Sequence, residues 1–236
     1  MSQAQTEDEK MVDIIKLLQQ PPEKHETEAI FNLMKKLKEV NPGDTWLDNY
    51  NWHLQKQGDK FYDTYHVMLR IGSKVDPKNI LEIGCRSGIS ICQLLHACSN
   101  NYIGDKRICL FDVFNDGFIS PELVRMNLEH LNIDANIVEF YTGKSEEEIP
   151  KFKAENPQLK FDYILVDGSH DKRDAIVDLN NVANMLNPNG VIVFDDIAPD
   201  GCNLVDVWNE WKEQNGTTFK YFENFDGKGV GVAVQQ

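Results

Sequence analysis

No apolar run in this chain approaches the ~20 residues that a membrane-spanning helix needs, and positive charge is scarce. Lys and Arg number 24 against 38 Asp and Glu, a formal net charge of −14. A surface so acidic repels phosphate backbones and anionic lipid heads, which argues against generic nucleic-acid or membrane binding. The opening decapeptide, MSQAQTEDEK, is polar and acidic and reads as neither a secretory signal nor an Arg-rich transit peptide. Cysteine is sparse and odd in number: Cys85, Cys92, Cys98, Cys109 and Cys202, with no pair at metal-site spacing. These read as reduced small hydrophobes in a cytoplasmic protein. Internal repeats and low-complexity tracts are absent as well. What is present, 41% hydrophobic and 26% charged residues over 236 positions, suits a soluble domain with an appendage and not a disordered chain.

Residues 1–59 form the appendage. Thr6-Glu7-Asp8-Glu9 is a capping-box pattern. Met11, Ile14, Ile15 and Leu18 follow at helical spacing, and Pro21-Pro22 stops that helix. A second apolar stripe, Ile30, Phe31, Met34 and Leu37, ends at Asn41-Pro42-Gly43. Two such helices cannot bury their apolar faces alone. They pack on the main domain, serve as a dimerisation segment, or close over a site as a lid. Residues 42–60 read as an aromatic loop with Trp46, Tyr50, Trp52 and His53, and a helix is expected over 60–72.

From residue 78 strands and helices alternate. NILEIG, RICLFDVF, NIVEFYTG, FDYILVDGS and GVIVFDD read as buried strands. ISICQLLHAC, PELVRMNLEHL, EEEIPKFKAEN, RDAIVDLNNVANML (ended by Asn187-Pro188-Asn189-Gly190) and LVDVWNEWKEQ read as helices. TFKYFENF and GVGVAVQ flank Asp226-Gly227, a hairpin signal. Near-continuous apolar strands with helical crossovers imply a parallel sheet covered on both faces. The predicted fold is α/β: a Rossmann-like, doubly wound, mainly parallel seven-stranded sheet with a C-terminal antiparallel hairpin and an N-terminal helical extension. Trp208 and Trp211, at helical spacing, read as core.

Ligands of open α/β sheets bind beyond the C-terminal strand ends, so those ends hold the candidate site. After the first strand, Glu82-Ile83-Gly84-Cys85-Arg86-Ser87-Gly88 offers two turn glycines and then a helix N-terminus, whose free N–H groups suit an anionic group. Arg86 stands where a dinucleotide fingerprint needs its middle glycine, which disfavours a nicotinamide dehydrogenase. Glu82 suits a ligand with a cationic amine. Asp112, ending the second strand, suits ribose hydroxyls and speaks against a 2′-phosphate. Gly143-Lys144-Ser145 could meet a base, and it lacks the upstream glycine of a phosphate-binding Walker loop. Asp167-Gly168-Ser169-His170 and Asp195-Asp196 end the fourth and fifth strands. Neighbouring strands lie ~4.8 Å apart, so these carboxylates converge and need a proton or a cation between them. Their all-oxygen chemistry suits Mg²⁺, and His170 suits a general base near neutral pH. Taken singly, Asp167 and Asp196 also fit turn or capping roles, and His170 fits a surface position.

Residues 60–236 resemble the class I S-adenosylmethionine-dependent methyltransferases. Among these they most resemble the metal-dependent O-methyltransferases of the catechol and macrolide-sugar kinds, through ILEIGCRSGIS, Asp112, GKSEEEI, and the run from DYILVDGSH to NPNGVIVFDD. The resemblance implies cofactor contacts at Glu82, Gly84, Cys85, Arg86, Ser87, Gly88, Asp112, Val113, Lys144, Ser145, Asp167 and Gly168. It implies Mg²⁺ on Asp167, Asp195 and Asp196, and catalytic roles for Asp167 and His170. The implied activity is methyl transfer from S-adenosylmethionine to a hydroxyl of a small molecule: a sugar, catechol or vicinal diol, as in natural-product biosynthesis. Nucleic-acid and membrane partners are not expected, and a homodimer through the N-terminal helices is compatible. The alternatives are a metal-independent small-molecule methyltransferase and a cofactor-binding protein without activity.

Overall fold

The computed structural model describes residues 14–45, 47–50, 62–98, 105–115, 119–199 and 201–236. The Thr6–Glu9 capping pattern, Met11, Trp46, Trp52 and His53 lie outside the described residues. Residues 14–18 are helical, and α1 spans Lys24–Val40. Next come α2 (Thr64–Val75), β1 (Asn79–Ile83), α3 (Ile89–Ala97), β2 (Arg107–Asp112), α4 (Pro121–His130) and β3 (Val138–Thr142). The chain continues through α5 (Ser145–Glu155), β4 (Phe161–Val166), α6 (Lys172–Val182), β5 (Leu186–Asp195), α7 (Val205–Asn215), β6 (Phe219–Asn224) and β7 (Val230–Gln235).

The seven strands are ordered β3-β2-β1-β4-β5-β7-β6. The first five are parallel, and β7 runs antiparallel to both β5 and β6. Chain direction through the sheet reverses between β1 and β4, which opens a crevice at their C-terminal tips. Alternate strand residues feed two cores, as the two-residue period of a strand requires. Ile80, Ile108, Leu110, Leu165 and Val193 pack under α1–α4. Leu81, Phe111, Ile164, Val166 and Phe194 pack under α5–α7. Trp208 and Trp211 are fully buried in that second core with ring centroids 5.5 Å apart.

The N-terminal helices therefore complete one face of the sheet. Ile30, Leu33, Met34 and Leu37 of α1 are all buried in the first core. A buried ion pair fastens them: the Arg70 guanidinium grips both carboxylate oxygens of Glu26 at 2.7 Å. It also donates to the carbonyls of Leu17, Gln20 and Pro21.

Three boundaries differ from those expected of the sequence. The helix expected over 60–72 is Thr64–Val75, because Asp63 caps it by accepting the Tyr65 and His66 N–H groups. Residues 45 and 47–50 are helical where a loop is expected. The α6 helix stops at Val182, and Asn187-Pro188-Asn189-Gly190 lies inside β5 instead of ending a helix. The sheet accommodates those four residues as a bulge. Leu186 pairs with Phe161, and pairing resumes at Val191 with Tyr163. Proline, which cannot donate to the ladder, is tolerated at such an irregularity.

Candidate active site

A cavity of about 1110 Å³ opens over the tips of β1, β2, β4 and β5. Gly84, Cys85, Arg86, Ser87, Asp112, Val113, Lys144, Ser145, Asp167, Gly168, His170 and Asp195 line it. Strand ends far apart in sequence thus meet at one place.

The turn after β1 makes one end. Gly84 has φ +81°, and a Cβ there would sit 1.9 Å from the Asp167 carbonyl oxygen, so the β1 and β4 tips touch backbone to backbone. Arg86 adopts φ +46°, the left-handed region that a glycine would fill in an ideal fingerprint. Its N–H donates to Asp112 at 2.8 Å. The other Asp112 oxygen accepts from Phe114 N–H at 3.1 Å. Each carboxylate oxygen keeps a lone pair for a ribose hydroxyl. Gly88 does not line the cavity. It is the N-cap of α3 and offers no side chain, so the first-turn N–H groups have no side-chain cap.

Glu82 also stands outside the lining. It is 1% exposed beneath the turn and accepts a hydrogen bond from Ser90 Oγ, and Ser90 is the residue on the wall. Burial pushes the Glu82 carboxyl up to about 8, against the opposing pull of Ser90. Glu82, which the sequence suggests for a cationic amine, thus stands behind Ser90 and not on the cavity wall.

The acidic centre makes the other end. One oxygen each of Asp167, Asp195 and Asp196 lies within 4.8 Å of the others. Asp195 and Asp196 are buried, and Asp196 holds φ +63°. Such strain at a non-glycine residue gathers at functional sites. Asp196 does not line the main cavity and borders instead a small pocket between the β4 and β5 tips. Its Oδ2 lies 3.0 Å from His170 Nε2. Burial and then Asp195 drive the Asp167 carboxyl well above its ordinary range. Burial likewise lifts Asp195 to about 6. Burial also opposes charge on Asp196, but His170 and Lys228 outweigh it and hold that carboxyl low. The hydrogen bond to Asp196 raises His170.

Three contributors, Thr64, Tyr65 and Lys228, are not foreseen from the sequence, and Tyr50 of the aromatic segment joins them. Thr64 Oγ donates to Asp195 Oδ1, fixing that carboxylate from the first turn of α2. Tyr50 and Tyr65 line the cavity, and the Tyr50 hydroxyl donates to the buried Asp63. Lys228 lies 3.6 Å from Asp195 and 3.2 Å from Asp196. For Lys228 a signal exists, because the hairpin turn preceding β7 must lie at the tip of the antiparallel β5. The helix-borne groups carry no comparable signal.

The doubly wound sheet, with the antiparallel β7 inserted between β5 and β6, is a class I methyltransferase fold. A family profile described as a methyltransferase domain matches residues 81–197, which together with the fold supports an S-adenosylmethionine-dependent methyltransferase. A search of curated proteins finds no match. Among solved structures, an O-methyltransferase from Bacillus cereus with S-adenosylhomocysteine is similar at TM-score 0.60 and 18% identity, covering 86% of this chain and 91% of that one. The O-methyltransferase TomG of Streptomyces achromogenes, involved in tomaymycin synthesis and solved with S-adenosylmethionine, gives 0.59 and 17%, with 86% and 89% covered. The methyltransferase PaMTH1 of Podospora anserina, bound to S-adenosylhomocysteine, gives 0.58 and 17%, with 86% and 87% covered.

Proposed function

We propose that this methyltransferase is an O-methyltransferase for a small molecule with two adjacent oxygens, and that it uses a divalent cation, Mg²⁺ by preference. The observation carrying the reading is the convergence of Asp167, Asp195 and Asp196 beside His170, with Asp167, Asp195 and His170 lining the same cavity as the glycine turn. The donor set fits a hard cation: all oxygen, from three carboxylates whose nearest oxygens lie within 4.8 Å of one another. When bound, S-adenosylmethionine supplies an electrophilic methyl group and the cation lowers the acceptor hydroxyl's pKa.

The remaining work falls to the chain. Asp112 holds the ribose, and the Gly84 turn with the α3 N-terminus accepts the carboxylate end of the cofactor. Thr64 and His170 hold Asp195 and Asp196 in place. With the His170 Nε2–H directed at Asp196, the lone pair resides on Nδ1, which takes the acceptor proton. The wall formed by Tyr50, Tyr65 and Met68 excludes water and orients the acceptor, on which alignment-driven rate depends.

The test is methyl transfer from labelled S-adenosylmethionine to a panel of catechols and vicinal-diol sugars. EDTA should abolish turnover and Mg²⁺ restore it, with cofactor binding by calorimetry unchanged. Full turnover in EDTA would remove the cation and leave a metal-independent methyltransferase.

A further inference from the structure

Register places Lys228 at the acidic centre. β7 pairs antiparallel with β5, with Val230 opposite Asp195, so the residues just before Val230 turn at the β5 tip. The backbone there is clamped against the segment that follows Asp196. The Lys228 carbonyl accepts the Ala198 N–H at 2.8 Å. Gly229 has φ +77°, and a Cβ on it would lie 2.5 Å from Ala198 N, so the two segments meet closely. From this fixed base the Lys228 ammonium reaches Asp195 Oδ2 at 3.6 Å and the two Asp196 oxygens at 3.2 and 3.5 Å. Lys228 also borders the main cavity, and its side chain is half-exposed.

These are the oxygens assigned above to the divalent cation. We infer that Lys228 is a built-in counter-ion that competes with the divalent cation for the three-aspartate centre. The inference rests on the reading of those aspartates as cation ligands. An ammonium and a divalent cation repel each other and cannot share one set of oxygens. The lysine stem is flexible, its head is strongly hydrated, and half of it already meets solvent, so it can leave while its backbone stays clamped. Two consequences follow. Without the cation the carboxylates are still neutralised and ordered. With it, the displaced ammonium is at the cavity rim, where an acceptor's oxygens lie.

The experiment is Mn²⁺ binding to the full chain, followed by loss of the free-ion electron paramagnetic resonance signal. It compares the wild type with K228M, K228Q and K228R, and calorimetry with S-adenosylhomocysteine confirms that each variant is folded. K228M and K228Q should bind Mn²⁺ at least tenfold more tightly than the wild type, and K228R, which keeps the charge, should bind within about threefold of it. Either neutral variant that binds S-adenosylhomocysteine decides the matter. Equal, measurable Mn²⁺ affinity in all four proteins would overturn the competition and leave the aspartates as cation ligands. Equal tightening in K228R would overturn it too, since charge would not be the cause. Absence of Mn²⁺ binding in every protein that binds S-adenosylhomocysteine would overturn both the competition and the cation reading.

Discussion

The two ends of the cavity are built on different principles. The end assigned to the cofactor consists of backbone and short side chains at the tips of parallel strands: the Gly84 turn, Arg86 N–H and Asp112. The end assigned to the acceptor adds to the strand-tip aspartates a set of side chains delivered by helices and a hairpin: Tyr50, Thr64, Tyr65 and Lys228. Strand tips are fixed by the hydrogen-bond ladder, whereas helix and hairpin side chains depend on how those elements dock. The first end should therefore tolerate almost no change in backbone and be indifferent to docking. The second should behave in the opposite way.

The largest effect is expected at Gly84. Gly84→Ala places a methyl group 1.9 Å from the Asp167 carbonyl oxygen and 2.9 Å from the Gly168 Cα, all backbone that cannot yield, at φ +81°. Strain and overpacking at their upper ends sum to about 6 kcal/mol. S-adenosylhomocysteine binding by calorimetry should vanish even if folded protein is recovered. Retained affinity would mean that the β1 and β4 tips are not rigidly joined, and the contrast between the two ends would fail.

Next is Arg70, whose guanidinium holds Glu26 and three carbonyls of the preceding segment. Both partners are buried, so Arg70→Met leaves an uncompensated carboxylate. The cost is about 3–5 kcal/mol in urea unfolding. Cofactor affinity should stay near the wild-type value, because β1 and β2 carry that end, while any acceptor turnover drops. A parallel fall in cofactor affinity would show that the N-terminal helices also hold the glycine turn.

The same contrast accounts for what is legible in the sequence. Strand-tip residues can be read because apolar strands announce where they stop, and a doubly wound sheet gathers those stops at one edge. The pattern of the chain alone therefore puts Asp112, Asp167 and Asp195 on one cavity, and the three do line it. The Asn187–Gly190 run misleads because turn residues at a bulge look the same as turn residues at a helix end. Glu82 invites a direct contact because sequence gives the tip of a strand but not which face its side chain takes. Thr64 is invisible, and the place of Tyr50 in the site unreadable, for a different reason. Their position depends on tertiary docking of α2 and of residues 47–50, and no local pattern encodes that.

The smallest effect per measured step, and the sharpest probe of the cofactor end, is the pH dependence imposed by Glu82. Its carboxyl is 1% exposed, and burial lifts it from an unfolded value near 4.5 to about 8. The native state therefore holds a proton that the unfolded chain has already released across that window. Stability from this group is fully present below pH 4.5 and is lost as pH rises through about 8, with a slope of at most about 1.4 kcal/mol per pH unit. Glu82→Gln removes the titration while keeping an acceptor for Ser90 Oγ. Urea unfolding of the cofactor-free protein from pH 5 to 8 should then show the wild type losing stability relative to the variant, with the two curves running parallel above pH 9. Other buried carboxyls, such as Asp178 and Asp195, are common to both proteins and cancel in the difference. Parallel curves throughout would place Glu82 as an ordinary ionised carboxylate, free to meet a cationic amine directly, and the wall between it and the cavity would then be no more than the Ser90 hydroxyl.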